Sequence, residues 1–338
     1  MVFGSGRSEC GDERPHSQGT GTDMPARKTF TLAATLVAAF ATTAALAADP
    51  ESCKTVRFSD VGWTDITATT ASASVILEAL GYEPNVQVLS VPVTYASLKN
   101  KDIDVFLGNW MPTMEADLAP YRDDKSVETL VTNLEGAKYT LAVPSYTYEA
   151  GLKTFADIAK FKDKLDGKIY GIEPGNDGNR LILDMISGNK FDLGGFELVE
   201  SSEAGMLSQV TRAANSKQDV VFLGWEPHPM NANIDMEYLA GGDEVFGPDF
   251  GGATVHTNVR AGYATECPNL GKLFTNMVFS LDMENEIMGA ILNDGADPKE
   301  AAAAWLKRNP ETTEPWLEGV TTRDGGDATA AVAAKLGQ

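Results

Sequence analysis

Asp104-Val-Phe-Leu-Gly-Asn-Trp110 and Asp219-Val-Val-Phe-Leu-Gly-Trp225 repeat one phrase: an acidic residue, a short apolar run, a glycine and a tryptophan. A run this short and this apolar is what a parallel sheet buries on both faces. The glycine predicts the end of the strand, with the indole in the loop that follows. Val56-Arg-Phe-Ser-Asp-Val-Gly-Trp63 carries the same logic a third time. Ligands of open α/β sheets sit at the carboxyl ends of strands, so three tryptophans at three such ends outline a ring-lined site. The competing interpretation, an indole capping a hydrophobic core, suits any one of them better than all three.

Around these phrases strand and helix alternate. The pattern predicts a strand over 55–60, a helix over 65–80 ended by Gly81, a strand over 86–91, a short helix over 95–99 and another over 112–118. This rhythm is that of a parallel sheet. It breaks at two adjacent strands, 127–132 and 138–143, separated by Asn133-Leu-Glu-Gly136, as a crossing into a second lobe would require. The scheme then resumes: helix 155–165, strand 168–172, helix 179–186, strand 197–201, helix 205–214 and strand 219–223, before a return strand over 254–263 and a helical tail. The expected fold is α/β with two lobes, each a mostly parallel sheet flanked by helices, and a ligand cleft between them. Lobe I takes 48–135 and 237–338, and lobe II takes 136–236.

The first residues belong to neither lobe. Residues 1–23 are polar and patternless and read as a mis-assigned extension, whereas 24–47 have the basic start, apolar run and Ala45-Leu-Ala47 ending of a cleavable secretory signal. The net charge is −21, and the acidic and basic residues ahead of Ala48 cancel, so the mature chain keeps that value. Such a balance attracts cations and disfavours nucleic acid. Export to an oxidising compartment leaves Cys53 and Cys267 as an even pair, and one disulfide is expected. Closing so long a loop is worth about 5 kcal/mol in the chain-entropy account, as an upper bound.

Catalytic constellations are thin. The mature chain holds only His228 and His256, with no Gly-x-Ser-x-Gly, phosphate loop or metal-ligand spacing, and neither an enzyme nor a cofactor is expected. What the strand ends do offer is rings, with Asp65 close to Trp63. The negative face of an aromatic ring attracts a cation by roughly 0.5–2 kcal/mol, and a cage of rings suits a quaternary ammonium, which has no N–H to donate. Asp65 reads equally as an N-cap of the helix that begins there, and Asn176 as part of a tight Gly175-Asn-Asp-Gly178 turn.

Five segments in order carry a family resemblance: Phe58-Ser-Asp-Val-Gly-Trp-Thr-Asp65, Phe106-Leu-Gly-Asn-Trp-Met-Pro112, Lys138-Tyr-Thr-Leu-Ala-Val-Pro144, Glu173-Pro-Gly-Asn-Asp-Gly178 and Gly224-Trp-Glu-Pro-His-Pro229. The chain resembles the periplasmic substrate-binding proteins of ABC importers for quaternary amines, and the choline-binding branch in particular. The resemblance implies an aromatic box of Trp63, Trp110, Tyr139 and Trp225 around a trimethylammonium group, with Asp65 and Asn176 on the choline hydroxyl. It also implies a type II-like binding-protein fold, a periplasmic monomer, and a membrane permease with its cytoplasmic ATPase as partners. Glycine betaine or acetylcholine are the alternative ligands within the family. A secreted enzyme acting on choline esters is the alternative outside it. Trp305 and Trp316 lie among apolar neighbours in the tail and are assigned to packing.

Overall fold

The computed structural model describes residues 49–337, so the expected extension and signal segment lie outside the described residues. The strands are β1 (Thr55–Asp60), β2 (Glu83–Val88), β3 (Val105–Met111), β4 (Val127–Pro144), β5 (Lys168–Tyr170), β6 (Glu197–Val199), β7 (Phe222–Glu226), β8 (Met236–Tyr238) and β9 (Gly252–Arg260). They join in the order β2-β1-β3-β9-β4-β7-β5-β6, with β8 beside β4. Two parallel sets, β2-β1-β3 and β7-β5-β6, form as the strand–helix rhythm predicts. The strands that join them, β4 and β9, run antiparallel to each other and to their outer neighbours.

One expected break is absent. The two strands predicted around Asn133-Leu-Glu-Gly136 are a single strand, β4, of 18 residues. Its pairing with β9 shifts register three times, between Thr129 and Val131, Thr132 and Leu134, and Leu134 and Ala137. Bulges bend a strand without ending it, and Gly136 at φ +77° supplies the left-handed residue that the last shift uses. The turn signal was therefore a bulge signal.

The helix Thr64–Leu80 has buried residues on every side, which its Thr, Ala and Ser content allows. Ser72 and Ser74 return their hydroxyls to the carbonyls of Ala68 and Thr70, which satisfies those polar groups inside the core. The helices Leu281–Leu292, Pro298–Arg308 and Ala328–Leu336 pack against it. Trp305 and Trp316 are buried in this tail, their indole N–H groups donating to Glu286 and to the Val278 carbonyl. Cys53 and Cys267 form the expected disulfide with Cα atoms 5.8 Å apart, an ordinary span. Asp49 works beside it, accepting from Tyr82 and from the backbone amides of Asn269 and Leu270 at the start of the helix Pro268–Asn276.

Candidate functional site

The tryptophans do stand where strands deliver them, but not in loops. Trp110 lies inside β3 and Trp225 inside β7, and Gly108 and Gly224 are strand residues rather than terminators. A glycine in a strand also marks close approach of a neighbour, and a Cβ on Gly108 would collide with Ile66 of the helix beneath. Trp63 is the N-cap of the helix Thr64–Leu80. Tyr139 pairs directly with Trp225 across β4 and β7, so the two rings share one face of the sheet, while Lys138 points the other way to Glu226.

These four rings wall one small cavity, closed further by Asp65, Ile172, Asn176 and Asp177. Ring centroids lie 6.0 Å apart for Trp110 and Tyr139, and 6.4 Å apart for Tyr139 and Trp225. Phe246 packs edge-on against Tyr139 at 5.9 Å. Polar tips are tied down: Trp63 Nε1 donates to Glu173 at 2.8 Å, Trp110 Nε1 to Asp65 Oδ2 at 3.1 Å, and the Tyr139 hydroxyl to Asn176 Oδ1 at 2.9 Å. Anchored in this way, the rings form a fixed wall. Gly178 permits the approach of Tyr139, since a Cβ there would overlap the phenol oxygen.

Asp65 is not an N-cap. It is the second residue of its helix, Trp63 takes the cap position, and no side chain caps that end from within the helix. Its Oδ2 holds Trp110, while Oδ1 is buried without a hydrogen-bond partner in the protein. Burial, reinforced by the nearby charge of Glu203, pushes the Asp65 carboxyl up to about 8. Asn176 is the N-cap of the helix Asp177–Ser187, its Oδ1 accepting from the Asn179 amide, and the same oxygen accepts from Tyr139 at the cavity wall.

Asp177, Ile172 and Phe246 were not among the residues expected at the site. Asp177 Oδ2 is a second buried, unpartnered carboxylate oxygen, and burial pushes this group up to about 7. The signal that could have found it is its place beside Asn176, masked because an acidic residue in a first turn ordinarily complements the helix dipole. Phe246 sits in a Gly-rich stretch with no pattern to mark it. Of the lining side chains, two are carboxylic acids and none is a cation. Such a chamber suits a small, positively charged, largely apolar ligand that can donate one hydrogen bond. Among the described residues no group of His, Cys, Asp and Glu is arranged to hold a metal.

Residues 54–308 match the OpuAC family, the substrate binding domain of ABC-type glycine betaine transport systems. The chain belongs to this family. A solved ABC-transporter choline binding protein in complex with choline is 74% identical, with a TM-score of 0.84 over 85% of this chain and 100% of that one. An ABC-transporter choline binding protein solved in an unliganded semi-closed conformation is also 74% identical over the same shares of both chains, at a TM-score of 0.79. The glycine betaine/carnitine transport binding protein GbuC of Listeria monocytogenes is 30% identical over 190 residues, 55% of this chain and 62% of its own length. OpuAC proteins are two-lobed binding components of importers and not enzymes, so the choline-ester hydrolase alternative is set aside. Among the described residues no helix is long and apolar enough to cross a membrane.

Proposed function

We propose that this chain captures choline for an ABC importer, holding the trimethylammonium head among Trp63, Trp110, Tyr139 and Trp225 and the hydroxyl on Asp65 and Asn176. The observation that carries the reading is the unpartnered Asp65 Oδ1 in a four-ring cavity without a cationic side chain. A buried acceptor calls for a donor, which choline has and glycine betaine lacks. Asp177 adds a second countercharge to the ammonium. The 74% identity to a choline complex supports the same ligand.

Capture needs an opening. In this reading the residues from 48 to the bulged part of β4 and those from β9 onward form one lobe, and the stretch between them forms the other. The pairing of β8 with the end of β4 favours a return in β9 over one near residue 236. Closing excludes water and strengthens each ring contact. The protein is a periplasmic monomer, exported by the segment 24–47, and delivers its ligand to a membrane permease driven by a cytoplasmic ATPase. Calorimetric titration with choline, acetylcholine, glycine betaine and carnitine tests this. Choline is expected to bind most tightly, and equal or tighter binding of glycine betaine would overturn the assignment.

A further inference from the structure

Glu203 lines no part of the cavity, and above it enters only as a charge near Asp65. It opens the helix Glu203–Asn215, whose own N-cap, Ser202, already accepts from the Gly205 amide. The Glu203 carboxylate is therefore not needed by its own helix. It is buried and reaches Thr64, on the other side of the cleft: Oε2 accepts the Thr64 amide at 2.9 Å and Oε1 the Thr64 hydroxyl at 2.5 Å. That amide is one of the orphan donors of a helix that carries no side-chain cap of its own. On the near side, His228 Nδ1 accepts from the Met230 amide, which leaves the ring proton on Nε2, and Nε2 donates to Glu203 at 3.2 Å. The His228 ring meets the Trp225 ring at 4.9 Å between centroids.

We infer that Glu203 is the clasp of the closed state, a positioning residue that ties the two walls of the aromatic box together when the lobes meet. The inference rests on the reading of the cavity as one that closes on its ligand. Thr64 is the peptide between Trp63 and Asp65, so holding its amide and hydroxyl sets the point from which that ring and that carboxylate project. His228 sets Trp225 from the opposite wall. In an open molecule water would solvate both Glu203 and Thr64, so these bonds exchange water for protein only on closing. Their contribution then falls on the lifetime of the closed complex and not on the fold. The same carboxylate lies near Asp65 and opposes its ionisation in an empty closed cavity, a cost that a bound cation offsets.

Stopped-flow and calorimetric binding of choline, with melting of the free and loaded proteins, should be compared for the wild type, Glu203→Ala, Glu203→Gln, Thr64→Val and Ser202→Ala. The Glu203 variants are expected to release choline about tenfold faster or more, with association changed by less than about threefold. Their unliganded melting temperature should stay within about 2 °C of the wild type, while the rise caused by choline shrinks. Thr64→Val keeps the amide and should show a smaller effect on release. Ser202→Ala should do the opposite, lowering both melting temperatures and sparing the release rate. Release within about twofold of wild type in both Glu203 variants overturns the clasp. So does an equal loss of melting temperature with and without choline, since that marks an ordinary structural bond. Absence of choline binding by the wild type would instead overturn the ligand assignment. The clasp is then read from whichever quaternary amine binds, or, if none does, from solution scattering of the free proteins. Glu203→Ala should then be the more open, and identical profiles overturn the clasp.

Discussion

A trimethylammonium group gives no hydrogen bond, so rings can hold it but cannot tell choline from glycine betaine. Discrimination falls to the residue at the other end of the ligand, and Asp65 is placed for it, with one oxygen fixed by Trp110 and the other without a protein partner. Under the proposed assignment a carboxylate there accepts choline's hydroxyl and repels betaine's carboxylate, a contact that costs several kcal/mol. Asp65→Asn is expected to lose choline affinity and to narrow the gap to betaine. Titrating both ligands into both proteins checks it, and an unchanged ratio would show that discrimination lies elsewhere. The rings themselves are tested by Trp110→Ala and Trp225→Ala, each expected to weaken choline about tenfold or more. Trp305→Ala should instead lower the melting temperature and spare affinity, because that indole packs in the tail and binds Glu286. Affinity retained in both box variants would rule out the cage.

At the scale of elements, the phrase Asp104 to Trp110 turns out to serve stability at one end and the site at the other. Asp104 takes the guanidinium of Arg57 at 2.7 and 2.8 Å and Arg260 Nε at 2.7 Å, linking β1 and β9 on either side of β3. Arg260 is itself buried and also pairs with Glu266 at 2.7 Å, so removing the Asp104 carboxylate leaves it with one half-exposed counter-ion in place of two. Asp104→Asn is expected to destabilise by about 3 kcal/mol while leaving choline affinity within about twofold. Chemical denaturation and calorimetry measure the two separately, and a loss below about 1 kcal/mol would mean that the arginines find water instead. Most elements were legible from period and composition because a buried strand and a buried helix each need their own spacing of apolar residues. Boundaries were less so. Phe222–Glu226 extends through Gly224, and Val127–Pro144 extends through Gly136, because neighbouring strands supply the pairing that local signals deny.

For the whole molecule, closing and protonation are linked. With Asp65 pushed up to about 8, the closed, cation-free form holds a proton that an unfolded or hydrated aspartate has lost by about pH 4. It binds more protons than the unfolded chain between about pH 4 and 8, so its stability falls as pH rises through that window, by at most about 1.4 kcal/mol per unit for this one group. Asp177, pushed up to about 7, acts in the same direction. A bound quaternary cation favours the ionised carboxylates and removes the penalty. Solution scattering of the unliganded protein is expected to show fewer closed molecules at pH 9 than at pH 6, with Asp65→Asn flattening the change. A profile independent of pH in the wild type would contradict it. The chain also carries its own cross-link over 214 residues, and thiol titration of unfolded, unreduced protein should find no free group at Cys53 or Cys267. Two free thiols would show that the bridge does not form.

Sequence alone determined the α/β alternation, the cysteine pair and the three tryptophans with Asp65 close behind, because each depends on local spacing or on residue chemistry that needs no partner. Tertiary structure decided what distance along the chain conceals. It turned Asn133 to Gly136 from a turn into a bulge, brought Asp177 to the cavity and Phe246 against Tyr139, and took Asp65 from helix cap to ring anchor. It also laid Glu203 on Thr64, 139 residues away. A side chain's partner is set by which strands and helices pack together, and that packing is decided by the burial of the whole core rather than by any one segment.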